Sequence, residues 1–122
     1  MSKTNAKTNA HTLFVTMKDI NIIAGTVVIS KCGHDEGRIY AVVGEVECFV
    51  DLSDGHIRSL DHPKRKRRTH VRPIGQIPDA VTWFASMSSL PIGVQNSEIR
   101  KAIKTVLDRH TKTVTERKGE TE

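Results

Sequence analysis

Short β-branched runs separated by glycines dominate the middle of the chain. The first run occupies residues 26–30 and the second residues 38–43, and Gly33 and Gly37 lie between them. Val, Ile and Thr favour extended backbone and glycine favours turns, so the pattern predicts a β-hairpin with a glycine-bounded loop. A third strand is predicted at residues 47–52, where polar and apolar residues alternate.

Two further strands complete the predicted sheet. The Asp54-Gly55 pair is a strong hairpin turn, and it leads into a fourth strand at residues 56–60. A fifth strand is predicted at residues 69–72, and Pro73 is expected to end it. Five short strands with tight turns in about fifty residues favour a small barrel over a sandwich.

The side of the third strand that faces the core depends on its register. Strict alternation predicts that Cys48, Val50 and Leu52 point inward. A bulge would turn Phe49 inward instead. Either register gives this strand one apolar side to pack against the core.

After Gly75 the pattern becomes helical. Residues 80–87 form a weakly amphipathic segment, and a stronger helix is predicted to begin at Asn96 or Ser97, since either side chain can accept the first free N–H groups. Its apolar positions recur with helical spacing at Ile99, Ala102, Ile103, Val106 and Leu107. This stripe predicts a helix that packs one face on the rest of the fold.

The chain divides into three predicted segments. Residues 1–22 form a tail and a lead-in: residues 1–12 are mostly small and polar and are expected to be disordered, and residues 13–23 are expected to be a weak helix or an extended segment. Residues 23–75 form the predicted five-stranded barrel, and residues 76–122 form a helical extension. The sequence therefore predicts one mainly β domain with additions at both ends.

Charge adds a prediction about partners. The chain of 122 residues has 19 Lys and Arg against 14 Asp and Glu, which gives a formal net charge of +5 and a pI near 9.5. A basic protein favours a polyanionic partner such as nucleic acid. Seven cations but only one acid, Asp61, occur from Arg58 to Arg72.

The densest part of this stretch is residues 63–68, which we call the basic arm. It reads Pro63, Lys64, Arg65, Lys66, Arg67, Arg68. Successive like charges repel one another unless a partner neutralises them, which disfavours a loop without a ligand. A nuclear-localisation signal is an alternative, but the arm lies between two predicted strands and not on a tail. We interpret the arm as a site that neutralises phosphates.

A second candidate site is the glycine-bounded loop at residues 31–38. Gly33 and Gly37 permit positive φ and bring backbone N–H groups to the surface, where they can approach a phosphate or a sugar. A plain hairpin turn needs the same glycines, so that alternative stays open. Asp35 and Glu36 disfavour a simple phosphate cradle, but carboxylates can bond 2′-hydroxyls or base edges, or fix the N–H groups of the loop.

Other chemistry finds little support in the sequence. The chain lacks the P-loop, nucleophile-elbow and zinc-protease motifs, so we expect no enzyme. Cys32 and Cys48 lie sixteen residues apart without a second pair and the histidines are scattered, so no disulfide, metal site or cofactor is predicted. No apolar run has the length of a signal peptide or a membrane span, and we expect a cytoplasmic protein.

Residues 25–43 resemble a KOW motif, the strand-loop-strand signature of RNA-contacting SH3-like barrels. Gly37 stands in the place of the motif's hallmark glycine. Residues 54–60 and 63–66, and more loosely the helix at 96–103, are similar to short bacterial KOW proteins. Those proteins are related to large-subunit ribosomal proteins of archaea and eukaryotes, especially the fourteen-e type. The family commonly has Arg or Lys where His34 stands, so binding by this loop is expected to be weaker or pH-sensitive.

The resemblance and the charge pattern together imply a fold, a function and a set of binding residues. The fold is a five-stranded SH3-like barrel, and the function is ribosome-associated binding of structured, ribosomal RNA, with large-subunit ribosomal proteins as further expected partners. The alternative is a protein-interaction module of the transcription or translation machinery that binds a peptide or an RNA polymerase surface, although the few aromatic residues disfavour it. The residues predicted to bind RNA are Lys31, Gly33, His34, Asp35, Gly37, Arg38, Arg58, Lys64, Arg65, Lys66, Arg67, Arg68 and Arg72.

Overall fold

The computed structural model describes residues 22–121, with side chains up to residue 111. The predicted disordered tail lies outside the described residues, and so does the predicted lead-in apart from its last two positions, Ile22 and Ile23. The described chain contains five strands, one short 3₁₀ turn and two helices. In order they are β1 Thr26–Ser30, β2 Ile39–Val46, β3 Phe49–Ser53, β4 Lys64–Arg67, the 3₁₀ turn Arg68–His70, β5 Val71–Gln76, α1 Ala80–Met87 and α2 Ile92–Thr121.

The five strands form one antiparallel sheet in the order β4-β3-β2-β1-β5. The first four strands follow one another as a meander, and β5 returns to pair with β1. The sheet is not closed, because β4 and β5 form its two edges. The predicted five-stranded sheet with a C-terminal helix is therefore confirmed.

The prediction of a fourth strand at residues 56–60 is wrong, because the basic arm itself supplies β4. Polar side chains instead fold the segment after β3 into a loop. The Asp54 carboxylate accepts the N–H groups of His56 and Arg58 at 2.9 and 2.8 Å. The Ser53 hydroxyl donates to the carbonyl of Arg58 at 2.7 Å. These local bonds use backbone groups that a strand would need for its ladder.

The prediction that Pro73 ends the fifth strand is also wrong, since β5 continues through it to Gln76. β5 is an edge strand, where proline's missing N–H need not remove a ladder hydrogen bond. The register between β1 and β5 shifts at Val27 and Val28. Val28 lies opposite Pro73, so the proline lies at this irregularity.

The third strand begins later than predicted, at Phe49. Val50 and Leu52 are buried as predicted. Cys48 is exposed, contrary to the prediction, because it lies in the tight turn between β2 and β3, where Glu47 has a φ of 53°. Phe49 is half-buried and lies on the opposite side of the sheet from Val50.

Apolar residues are buried on both faces of the sheet. The inner face carries one cluster, formed by Ile22, Val28, Tyr40, Val42, Val50, Leu52 and Val71. On the outer face, α2 packs against β2 and β5. The cluster there consists of Val27, Ala41, Ile77, Ile99, Ile103 and Val106. The predicted apolar stripe of the C-terminal helix therefore packs on the sheet.

α2 begins at Ile92, before the predicted start at Asn96 or Ser97. Its first turn is set by Pro91, whose carbonyl accepts the N–H group of Gln95 at 3.0 Å. Proline suits this position because the first N–H groups of a helix have no partner within it. Within the described residues, no helix is long and apolar enough to cross a membrane.

Asn96 holds the loop after β3 instead of capping the helix. Its Oδ1 accepts the N–H group of Leu60 at 2.8 Å, and its Nδ2 donates to the Ser59 hydroxyl at 2.9 Å. One turn further along, Arg100 donates to the carbonyl of Gly55. α2 therefore fixes the loop that leads into β4.

Contacts from β4 to both ends of β1 show that the sheet curves. A flat sheet would hold these strands about 14 Å apart, because two other strands lie between them. Lys66 of β4 nevertheless donates to the carbonyl of Cys32, just after β1, at 3.0 Å. Arg68, directly after β4, donates to the carbonyl of Ile22, before β1.

Candidate nucleic-acid interface

The residues of β4 alternate between the two faces of the sheet. Lys64 and Lys66 lie opposite buried residues of β3 and share their inner face. Arg65 and Arg67 therefore lie on the outer face. The basic arm is thus a strand with a lysine side and an arginine side.

Both lysines meet one buried carboxylate, that of Asp35 in the loop 31–38. The Lys66 ammonium lies 2.9 Å from Oδ1 and the Lys64 ammonium 3.1 Å from Oδ2. The hydroxyl groups of Ser30 and Tyr40 each donate to the same carboxylate at 2.9 Å. Asp35 is only 5% exposed, so its carboxylate binds residues of the fold and is not open to a ligand.

These contacts shift the pKa values of the cluster. Burial by itself would raise the pKa of Asp35, but hydrogen bonds from Lys66, Ser30, Tyr40 and Lys64 outweigh it and hold the pKa well below its usual range. Burial, together with the hydrogen bond to Asp35 and its charge, raises the pKa of Tyr40 to about 12. Asp35 is therefore ionised and Tyr40 neutral at physiological pH.

Two arginines of the basic arm are also paired with carboxylates. Arg65 donates to both oxygens of Asp51, at 2.9 and 3.2 Å. Arg68 lies 3.3 Å from Glu45 as well as bonding the carbonyl of Ile22. Four of the five cations in the arm thus have a carboxylate partner.

Arg67 differs from the other cations of the arm. Its guanidinium carbon lies 5.1 Å from the centre of the Phe49 ring, its partner on the neighbouring strand. Arg67 is exposed, and Phe49 is half-buried. This is a cation–π contact, and it leaves the charge of Arg67 available to a ligand.

A pocket of about 380 Å³ lies beside the 3₁₀ turn, and we call it the cationic pocket. Among the described residues, its lining contains three cations and no carboxylate: Ile22, Lys31, Arg68, Thr69, Val71, Arg72 and Pro73. Lys31 and Arg72 are exposed and form no ion pair within residues 22–111. The N–H group of Lys31 donates to the carbonyl of His70 at 2.8 Å, which links the end of β1 to the 3₁₀ turn.

No protein-family model matches the chain, and no curated protein matches it. The resemblance to the KOW family therefore stays a hypothesis. Support for a function has to come from the charge and the geometry of the surface.

Both glycines of the loop 31–38 have the positive φ that the sequence predicts. Gly33 has a φ of 92° and Gly37 a φ of 90°. The N–H group of Gly37 donates to the carbonyl of Ser30, and that of Arg38 to the carbonyl of Asp35, each at 2.9 Å. These two N–H groups are therefore used to close the hairpin.

The predicted RNA-binding residues fall into four groups by position. The buried cluster contains Asp35, Lys64 and Lys66, and the cationic pocket contains Lys31, Arg68 and Arg72. Gly33 and Gly37 lie in the hairpin loop. The remaining residues are exposed elsewhere on the surface: His34, Arg38, Arg58, Arg65 and Arg67.

Several residues of these sites were not predicted from the sequence. Ser30 and Tyr40 bind Asp35, and Phe49 contacts Arg67. The sequence contains no strand signal for the basic arm, because a half-buried strand is recognised by alternating apolar and polar residues and all residues of β4 are cations. Within the described residues, no group of His, Cys, Asp and Glu is suited to hold a metal ion.

Proposed function

We propose that the protein binds structured RNA through the cationic pocket. The observation that carries this proposal is the lining of the pocket, in which Lys31 and Arg72 are exposed and none of the lining residues that the structure describes is a carboxylate. Lys and Arg bind phosphates, and such contacts supply most of the sequence-independent affinity for nucleic acid. The net charge of +5 adds long-range attraction.

The composition of the pocket suits a nucleotide better than a free inorganic anion. Pro73, with the small exposed parts of Ile22 and Val71, provides apolar walls, and Thr69 provides a hydroxyl group. Ligand sites typically combine such walls with a few polar groups that fix orientation. A phosphate between Lys31 and Arg72 would let a sugar contact these walls.

We further propose that the sheet is an SH3-like barrel of the KOW type. Its curvature supports this, because β4 and the 3₁₀ turn after it contact segments at both ends of β1. The two edge strands are joined only by the short 3₁₀ turn Arg68–His70. The resemblance to KOW proteins favours RNA over other polyanions and favours ribosomal RNA in particular.

In this proposal, the basic arm acts mainly within the fold. Its lysines neutralise Asp35, and Arg65 and Arg68 neutralise carboxylates of the sheet. Replacing the whole arm would therefore change stability as well as charge. A test of RNA binding has to use cations that the fold does not need.

The double variant Lys31→Ser/Arg72→Ser removes the two exposed cations of the pocket. Lys104→Ser/Arg109→Ser is the matched control, because it removes one Lys and one Arg from the exposed surface of α2. Binding is measured by filter retention on a ribosomal RNA fragment over a series of salt concentrations. The pocket variant is expected to bind about tenfold more weakly and to have a salt slope smaller by about 2. Equal binding by the two variants would contradict the proposal.

Ribosome association is tested separately, by sedimentation through a sucrose gradient. We expect the protein to sediment with ribosomal subunits at low salt and the pocket variant to remain at the top. A wash at high salt then separates a transient associate, which is released, from a permanent component. Wild-type protein that stays at the top at low salt would contradict ribosome association but not RNA binding.

A further inference from the structure

Part of the outer face of the sheet is open to solvent. α2 covers the outer face near Ala41, whereas the far end of β2, with β3 and β4, presents exposed residues. Val46 is 43% exposed there, and the side chain of Arg65 is 53% exposed. We call this surface the open patch, and it consists of Gly44, Val46, Phe49, Asp51, Arg65 and Arg67.

The open patch is built from two cross-strand rows. One row runs from Val46 through Phe49 to Arg67, and it combines two apolar side chains with a guanidinium. The other row runs from Gly44 through Asp51 to Arg65. Residues opposite one another in neighbouring strands share a face, and so do residues two apart along one strand. The five side chains and the position of Gly44 therefore lie on the same side of the sheet.

The charge of the open patch favours an anionic ligand. Its one carboxylate, that of Asp51, accepts hydrogen bonds from two nitrogen atoms of Arg65. Asp51 also lies over Gly44, since a Cβ added there would be 3.0 Å from its Oδ2. Arg67 keeps its positive charge next to Phe49 without a carboxylate partner within residues 22–111.

We propose that the open patch binds unpaired RNA bases, with Arg67 and Phe49 as the stacking residues. This inference rests on the proposed RNA binding and adds the kind of nucleotide that is recognised. Bases that are not paired stack on aromatic rings and on arginine guanidinium planes, and duplex RNA keeps those faces hidden. The exposed guanidinium of Arg67 lies over the half-buried Phe49 ring, so a base can stack on the guanidinium while the ring supports it from the other side, with Val46 as an apolar border.

A role restricted to the fold is the competing explanation. Charged side chains on an edge strand prevent it from pairing with other chains, and β4 is an edge. Lysine provides the same protection as arginine, but it has no planar group on which a base can stack. The variant Arg67→Lys therefore separates the two explanations.

The test compares binding to two RNAs of equal length, a hairpin with an unpaired loop and a fully paired duplex. Arg67→Lys and Phe49→Leu are the patch variants, and Arg109→Lys is the control, because Arg109 is an exposed arginine of α2 outside both the patch and the cationic pocket. Both patch variants are expected to bind the hairpin about five- to tenfold more weakly and the duplex almost unchanged. A 2-aminopurine in the loop should also lose the fluorescence change that reports stacking.

The outcomes separate this inference from the proposed function. Patch variants that bind the hairpin as tightly as wild type would overturn the inference, while the effect of Lys31→Ser/Arg72→Ser would still support the pocket. Wild-type protein that binds neither RNA would overturn both. Arg67→Lys keeps the charge of the edge strand, so a loss of hairpin binding cannot come from lost charge. An unchanged melting temperature would show that the loss does not come from misfolding either.

Discussion

The ammonium group of Lys66 lies 2.9 Å from the buried carboxylate of Asp35 and ties the edge strand β4 to the loop between β1 and β2. The side chain of Lys66 is only 10% exposed. This contact explains how a run of cations can form a strand. Its alternate members point inward and are neutralised there, and the others remain at the surface.

Lys66→Ala should destabilise the protein much more than Arg67→Ala. The first change removes a partner from the buried Asp35 and is expected to cost about 3 kcal/mol. The second removes one exposed cation–π contact and is expected to cost less than about 1 kcal/mol. Urea unfolding of the two variants measures the difference. Equal losses would mean that the inward lysines contribute no more than surface charges.

Asp35→Asn is expected to lower the free energy of unfolding at neutral pH and to matter less in acid. The folded-state pKa of Asp35 lies below its ordinary value of 3.8, so the ionised carboxylate stabilises the fold above that pH. This contribution is lost as the pH falls below 3.8 toward the folded-state value. Urea unfolding at pH 7 should show a loss of about 3 kcal/mol, and acidic conditions a smaller one. A difference that does not vary with pH would contradict this role.

Tyr40 offers a spectroscopic measurement of the same cluster, because it is the only tyrosine in the chain. The absorbance of tyrosinate should appear with a midpoint near pH 12 in the folded protein. Because folding raises this pKa, neutral Tyr40 adds its full contribution to the free energy of unfolding below its ordinary pKa of 10.0. That contribution is lost as the pH rises through about 12. Asp35→Asn should move the midpoint toward 10.0 while circular dichroism shows an intact sheet. A midpoint that is the same in both proteins would contradict the hydrogen bond.

Ile103→Asp should release α2 from the sheet. Ile103 is 9% exposed and belongs to the cluster with Val27 and Ala41, so a carboxylate there is expected to cost about 3 kcal/mol. Thr105→Asp is the control, because it places the same group on the exposed side of the helix. The melting temperatures of both variants check this expectation. An unchanged value for Ile103→Asp would mean that the helix contributes nothing to the stability of the sheet.

Local sequence patterns were sufficient for the first hairpin and for the face of α2. The β-branched residues of β1 and β2 favour strands wherever they lie, and Gly33 and Gly37 accept the φ values that the turn requires. The apolar stripe of α2 likewise depends only on spacing, and Ile99 and Ile103 are buried as it predicts.

The fourth strand could not be predicted in the same way. Lys and Arg have no strong preference for strands, and β4 forms because distant groups, Asp35 and Asp51, neutralise its side chains. The segment after Asp54 has the sequence pattern of a strand, but its backbone N–H groups donate hydrogen bonds to the Asp54 side chain. The cationic pocket is non-local as well. Lys31 and Arg72 share a pocket only because β5 pairs with β1.

The salt dependence of RNA affinity tests the central claim most directly. The affinity of wild-type protein for a ribosomal RNA fragment is measured from low to moderate salt and plotted as log K against log salt concentration. Contacts with about four phosphates would give a slope of about −3, and Lys31→Ser/Arg72→Ser should make it shallower by about 2. An affinity that stays flat across the salt series would contradict RNA binding through the cationic pocket.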